Sequence, residues 1–191
     1  MSSKSALEQS LRRLKPEKHL KALVYRDRDK LPFLADLKPP FPKLLLDTTV
    51  YIDTLQGKIS EEVVIALRAG SLWHSDVTES ELAALSGLLD PTRPDTQEVV
   101  MKIGAAIEQR PTHRTLSPDR EIWREAGILA GLLARLQSYG KTEQRKALND
   151  ALIFLTAAKH GCTVLTRNIG DFDLLKQLYA NGQVLFYDTT T

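Results

Sequence analysis

The sequence predicts a three-layer α/β/α domain, a central parallel sheet of about five strands covered by helices on both faces, preceded by a basic N-terminal extension. Three observations carry this. From residue 43 onward short apolar runs alternate with longer stretches of helical periodicity. The proline-rich run Pro39, Pro40, Phe41, Pro42 separates that pattern from what precedes it, because proline cannot donate a ladder hydrogen bond and disfavours helix in the residue before it. The charge is also split: residues 1–43 hold eleven Lys or Arg against five Asp or Glu, and residues 44–191 hold fifteen against nineteen. The 191 residues suffice for one domain, expected over 43–191, with an extension over 1–42.

The extension begins with an amphipathic pattern, Leu7, Leu11 and Leu14, broken at Pro16, and is expected to be partly helical or disordered. Strands follow at Lys43–Leu46, Leu72–Val77, His113–Leu116, Cys162–Leu165 and Gln183–Phe186. Helices are expected over Glu79–Ser86, Gln97–Glu108, Asp119–Gln137, Asn149–His160 and Phe172–Tyr179. The third carries Ile122, Ala126, Leu129, Leu133 and Leu136 on one stripe. Lys159, His160 and Gly161 form a helix ending, with cations at the negative end of the dipole and a glycine able to take positive φ. Trp73 and Trp123 are expected as core or interface anchors, and Cys162 as a small buried hydrophobe.

Composition excludes several classes. No apolar run reaches the roughly 18 residues of a membrane span, no secretory leader pattern opens the chain, and the single cysteine has no disulfide partner, so a cytoplasmic location is expected. Four scattered histidines and one cysteine give no zinc-ligand spacing.

In a parallel sheet the strand C-termini and helix N-termini gather at one edge, where ligands bind. Four acids are expected there: Asp47 after the first strand, Glu81 in the first turn of the helix that follows the strand ending near Val77, Asp150 at the start of a helix opening at Asn149, and Asp171 after the fourth strand. A helix from Asp150 to His160 and a strand from Cys162 to Thr166 each run about 16 Å in opposite senses, which returns the chain to the same level. Helix-dipole preference accounts for Glu79, Asp119 and Glu121. It does not account for Asp47, a carboxylate directly after three leucines with no adjacent cation. Four acids at one rim repel one another unless a cation neutralises them, and hard oxygen ligands suit Mg²⁺ or Mn²⁺.

These residues resemble the PIN-domain ribonucleases, and among them the VapC-like toxins of type II toxin–antitoxin pairs. Leu46 to Asp53 (LDTTVYID) is similar to that family's LDTNVxID, Ser75 to Leu82 (SDVTESEL) to its SVVTxAEL, Asn149 to Ile153 to NDALI, and Thr166 to Phe172 (TRNIGDF) to TRNxxDF. The chain departs from the pattern at Thr49, where Asn is usual, and in the extension. The resemblance implies a metal-dependent endoribonuclease in which Asp47, Glu81, Asp150 and Asp171 hold one or two Mg²⁺ or Mn²⁺ ions and cleavage leaves a 5′-phosphate and a 3′-hydroxyl. It implies Asp47 and Asp150 as direct ligands, with Thr48, Thr166 and Asn168 bonding carboxylates and water, though these three also read as ordinary turn residues. It further implies an antitoxin partner and a homodimer.

Arg114, Lys141, Arg145, Lys146 and Arg167 are expected near the same rim as RNA-phosphate contacts, against the alternative of solvated surface charges. For the extension three readings stand in order: a solvated arm, an RNA-contacting arm, or a segment placing Arg12, Arg13, Arg26 or Arg28 in the acidic site. Competing functions are a non-catalytic PIN-like RNA- or protein-binding scaffold and a PIN-type RNA-processing nuclease outside a toxin–antitoxin pair. An aspartate-nucleophile phosphatase would want an acid two residues after Asp47, where Thr49 stands.

Overall fold

The computed structural model describes residues 5–190. Five parallel strands, β1 (Lys43–Leu46), β2 (Ser71–Ser75), β3 (Thr115–Leu116), β4 (Thr163–Thr166) and β5 (Gln183–Phe186), form one sheet in the order β3-β2-β1-β4-β5. Among the described residues eight α-helices surround it: α1 (Ala6–Leu14), α2 (Thr48–Leu55), α3 (Glu61–Ala69), α4 (Asp76–Leu88), α5 (Thr96–Glu108), α6 (Arg120–Gln137), α7 (Lys141–Lys159) and α8 (Ile169–Leu178). Side-chain alternation along the strands feeds two cores. Leu45, Val164 and Val184 face a layer built from α6, α7 and α8, while Leu44, Leu46, Leu165 and Leu185 face Val50 of α2 and Val63 and Ala66 of α3.

All five expected strands are present, shifted by a residue or two at β2, β3 and β4. The helices differ more. α2 and α3 fall where no helix was expected; Asp47 caps α2 by accepting from Thr49 N–H, and Ser60 precedes α3 with Glu61 and Glu62 in its first turn. α4 begins at Asp76, so Glu81 stands in its second turn rather than its first. α7 begins at Lys141 after Gly140, so Asn149 is not a cap and Asp150 lies mid-helix. The first nine residues of α7 therefore run about 13 Å past the level of Asp150, beyond the strand C-termini. The reversal after α7 uses Gly161 at φ 66°, as its sequence position implies.

The N-terminal extension is built into the body over its described residues. α1 opens with a capping box between Ser5 and Glu8 and lies on α6, where Arg13 pairs with Glu121 at 2.6 Å and Glu125 at 3.3 Å. Arg135 of α6 donates to the carbonyls of Pro16 and His19, and Gln137 to that of Leu23. Arg26 bonds the fully buried Asp173 of α8 through Nε at 2.5 Å and through its backbone N–H at 3.0 Å. Leu14, Leu31, Phe33 and Leu34 are buried, Phe33 bridges to Phe186 of β5, and Arg28 pairs with Asp188. A solvated arm does not describe this segment. Of the four arginines considered for the acidic site, Arg13, Arg26 and Arg28 are each held by other carboxylates. Trp73 packs against the core, whereas Trp123 is 52% exposed and anchors no core; Cys162 is buried. Among the described residues no helix is long and apolar enough to cross a membrane.

Candidate active site

The strand order reverses at β1: from it the chain moves outward to β2 and β3, then returns to place β4 on the other side of β1 and β5 beyond β4. Connections diverge at such a point and leave a crevice at the strand C-termini. Thr166, fully buried at the end of β4, bonds Asp47, which directly follows β1 and opens into that crevice. It is a hollow of about 520 Å³ whose lining includes Asp47, Thr48, Glu81, Lys146, Asp150 and Asn168.

Each acid is held differently. Asp47, 3% exposed, accepts through Oδ2 from the hydroxyls of Thr49 and Thr166, both at 2.7 Å. Thr49 thus supplies a hydroxyl where the resembled motif has Asn, and its Oγ1 also accepts from the Arg167 backbone N–H at 3.1 Å. Glu81 is bound by the Thr48 hydroxyl and by Asn149 Nδ2 at 2.8 Å. Asn168 caps α8 and its Nδ2 bridges Asp150 at 3.4 Å and Asp171 at 3.0 Å. Asp171 also accepts from Lys146 Nζ at 2.8 Å and from the Tyr139 hydroxyl at 3.2 Å.

The electrostatics follow from burial and mutual repulsion. Asp150, 5% exposed, is pushed well above the usual carboxylate range by desolvation, then by Asp47 and Asp171, with Lys146 opposing and Glu81 adding. Glu81 is raised by burial against the hydrogen bonds from Thr48 and Asn149. For Asp171 burial also pushes upward, but Lys146 and Asn168 outweigh it and leave the carboxyl below its ordinary value.

The five basic candidates separate. Lys146 and Arg167 line the acidic hollow. Arg167 is committed, its Nε and Nη2 holding the buried Asp53 at 2.7 and 3.2 Å, and Asp53 also accepts from the buried Tyr187 hydroxyl. Lys141 and Arg145 line a different hollow between α6 and α7, and Arg114 lines a third beside Tyr51 and His74. Tyr139 was not singled out from sequence; Asn149 entered only as a helix cap and motif position, Thr49 as a departure from the motif, and Asp53 as a motif residue without a role. The contacts of Tyr139, Asn149 and Asp53 are with partners 30 or more residues away.

The model of the PIN domain matches residues 44–176. The chain belongs to the PIN domain family. Its residues 1–43 lie outside that match. Among solved structures, FitAcB from Neisseria gonorrhoeae is similar at 25% identity with a TM-score of 0.54, over 74% of this chain and 96% of that one. VapBC2 from Rickettsia felis, bound to a DNA fragment from its promoter, gives a TM-score of 0.54 at 14% identity over 76% and 99%. VapBC-5 from Mycobacterium tuberculosis, a member of the VapBC family of toxin–antitoxin systems, gives 0.50 at 21% identity over 75% and 98%. No curated protein matches the chain.

Among the described residues no three His, Cys, Asp or Glu side chains surround one point closely enough to hold an ion. The carboxylates of this PIN domain are instead tied to hydroxyl, amide and ammonium groups. Their chemistry nevertheless fits a hard divalent cation: every candidate donor is a carboxylate oxygen, and Asp150 is buried among three acids that disfavour its anion.

Proposed function

We propose that this PIN domain is a metal-dependent endoribonuclease, a VapC-like toxin, hydrolysing RNA phosphodiester bonds at the Asp47, Glu81, Asp150 and Asp171 cleft. The observation that carries the reading is the burial of Asp150 beside Asp47, Asp171 and Glu81 at the crevice where the strand order reverses. Asp47 and Asp150 would hold Mg²⁺ or Mn²⁺, with Asp171 and Glu81 completing the set. When bound, the ion supplies charge neutralisation at the scissile phosphate and lowers the pKa of water.

The remaining work falls to the chain's own groups. Thr49 and Thr166 fix one Asp47 oxygen and so orient the other toward the hollow. Glu81, held by Thr48 and Asn149, would position a second ion or the attacking water. Asn168 sets the relative orientation of Asp150 and Asp171. Lys146, an exposed cation of the cleft, contacts a backbone phosphate once Asp171 releases it. Arg167 contributes its positive field while remaining paired with Asp53. Lys141 and Arg145 on the neighbouring surface of α7, and Arg114, are more distant candidate contacts for a longer strand. With the toxin reading go an antitoxin partner, a homodimer and a cytoplasmic location; VapBC-5, whose fold this chain shares, is a member of a family of toxin–antitoxin systems.

The test is cleavage of a mixed single-stranded RNA with Mn²⁺, with Mg²⁺ and with EDTA, beside Asp150→Asn prepared identically. Metal-dependent cleavage lost in the variant is the expected result. Equal behaviour of the two proteins would reject the nuclease reading in favour of an RNA- or protein-binding scaffold.

A further inference from the structure

We propose that the hollow bounded by α2, α3, β2 and the end of α5 binds a small organic anion, a carboxylate or phosphate ester carried on an apolar body. Its volume is about 460 Å³, within the range of sites that enclose a small ligand, and it shares no lining residue with the acidic cleft. Leu55, Leu67 and Leu72 supply apolar wall, while Tyr51, His74, Arg110 and Arg114 supply the polar groups. None of the described lining residues is acidic.

The argument turns on Arg110. Its side chain is 4% exposed, Nε donates to the Ile107 carbonyl at 3.3 Å, and both terminal nitrogens are buried without a hydrogen-bond partner. Glu79, half exposed, forms an ion pair with Nη2 at 3.4 Å without hydrogen-bond geometry. The guanidinium carbon lies 5.4 Å from the Tyr51 ring centre, a contact that offsets part of its lost hydration. A guanidinium presents five donors in a planar fork, and here the buried terminal end is met by an ion pair with half-exposed Glu79 but by no hydrogen bond, which leaves donors for an incoming anion.

The neighbours suit the same occupant. Arg114 is exposed and lines the same hollow, a second cation for the headgroup. His74 adds no charge near neutral pH, because burial and then Arg110 and Arg114 push it down to about 4; its Nδ1 hydrogen-bonds the Tyr51 hydroxyl. The leucine wall faces an apolar body rather than a second charge, which distinguishes this site from a general phosphate-binding surface. Nothing in this inference depends on the nuclease reading.

Binding is measured on the full chain in EDTA, by thermal shift and by NMR of the His74 ring and Arg110 Nε–H. The probes are phenyl phosphate and benzoate, with inorganic phosphate and benzyl alcohol as controls. Saturable binding of either organic anion supports the proposal, and preference between the two assigns the headgroup. Benzyl alcohol and inorganic phosphate should each bind at least about tenfold more weakly, Arg114→Gln should weaken the anions several-fold, and Arg110→Met about tenfold or more. Should Arg110→Met fail to fold, Arg114→Gln and the His74 shifts decide. The proposal is overturned if benzyl alcohol or inorganic phosphate matches the organic anions, if Arg114→Gln binds as the native chain does, or if millimolar anion moves neither Tm nor the His74 ring.

Discussion

Replacing Asp53 by alanine tests whether the Arg167 to Asp53 to Tyr187 clamp holds the loop that carries Thr166 and Asn168. Asp53 is 1% exposed and accepts from Arg167 Nε, Arg167 Nη2 and the Tyr187 hydroxyl at 2.7, 3.2 and 2.8 Å. In Asp53→Ala the buried Tyr187 hydroxyl loses a charged acceptor, worth about 1.5–3 kcal/mol. Arg167 is 47% exposed and can rehydrate, so its share is at most about 1 kcal/mol. The loss should be about 2–4 kcal/mol, or about 5–15 °C in Tm for a chain of this length. Asp53→Asn keeps an acceptor for Tyr187 and should lose roughly half as much. Arg167→Met strands a buried carboxylate and should cost at least as much as Asp53→Ala. Urea unfolding at neutral pH reads all three. Values for Asp53→Ala and Arg167→Met within about 0.5 kcal/mol of the native chain would refute the clamp.

Other expectations follow from the same contacts. In EDTA, Asp150→Asn should melt at or above the native temperature, since it relieves a buried anion raised by three neighbouring acids, and Mn²⁺ should raise Tm of the native chain but not of the variant. His74 is depressed from 6.5 to about 4 by burial and by Arg110 and Arg114. The unfolded chain therefore binds a proton that the folded chain refuses in this window, so stability is full above about pH 6.5 and falls toward pH 4, by about 3 kcal/mol at most. His74→Gln should flatten that part of a Tm-against-pH curve, and an unchanged curve would remove His74 from the account. Arg26→Ala leaves Asp173 buried beside only Gln177 and a backbone N–H and should cost about 2 kcal/mol in urea unfolding, recovered in part by Asp173→Asn.

The sheet was legible because β1, β4 and β5 are apolar runs buried on both faces, bounded by glycine or proline and polar residues, and that pattern has few other uses. Asp47 follows β1 directly and Asp171 lies in α8 directly after β4, while Glu81 lies in α4 after β2. α2 escaped notice because Thr48–Leu55 is short, rich in β-branched residues and weakly amphipathic, and its formation rests on the Asp47 cap. α3 carried usable signals in Ser60, Glu61, Glu62 and Arg68. The start of α7 was hidden because Lys141–Lys146 stands beyond the sheet edge, mostly solvated, with no apolar stripe to betray it. The extension's packing depends on pairs such as Arg26 and Asp173, 147 residues apart, which leave no local periodicity to find.

The Phe33 to Phe186 bridge also sets a schedule for synthesis. Leu31, Phe33 and Leu34 are made early, yet their places in the two cores are completed by β5, about 150 residues later. At translation rates of roughly 5–20 residues per second, that apolar segment waits about 8–30 s before its native partner emerges. During this interval the nascent chain carries an unsheathed sticky stretch, a natural handle for a chaperone, and both cores still lack the strand that completes them.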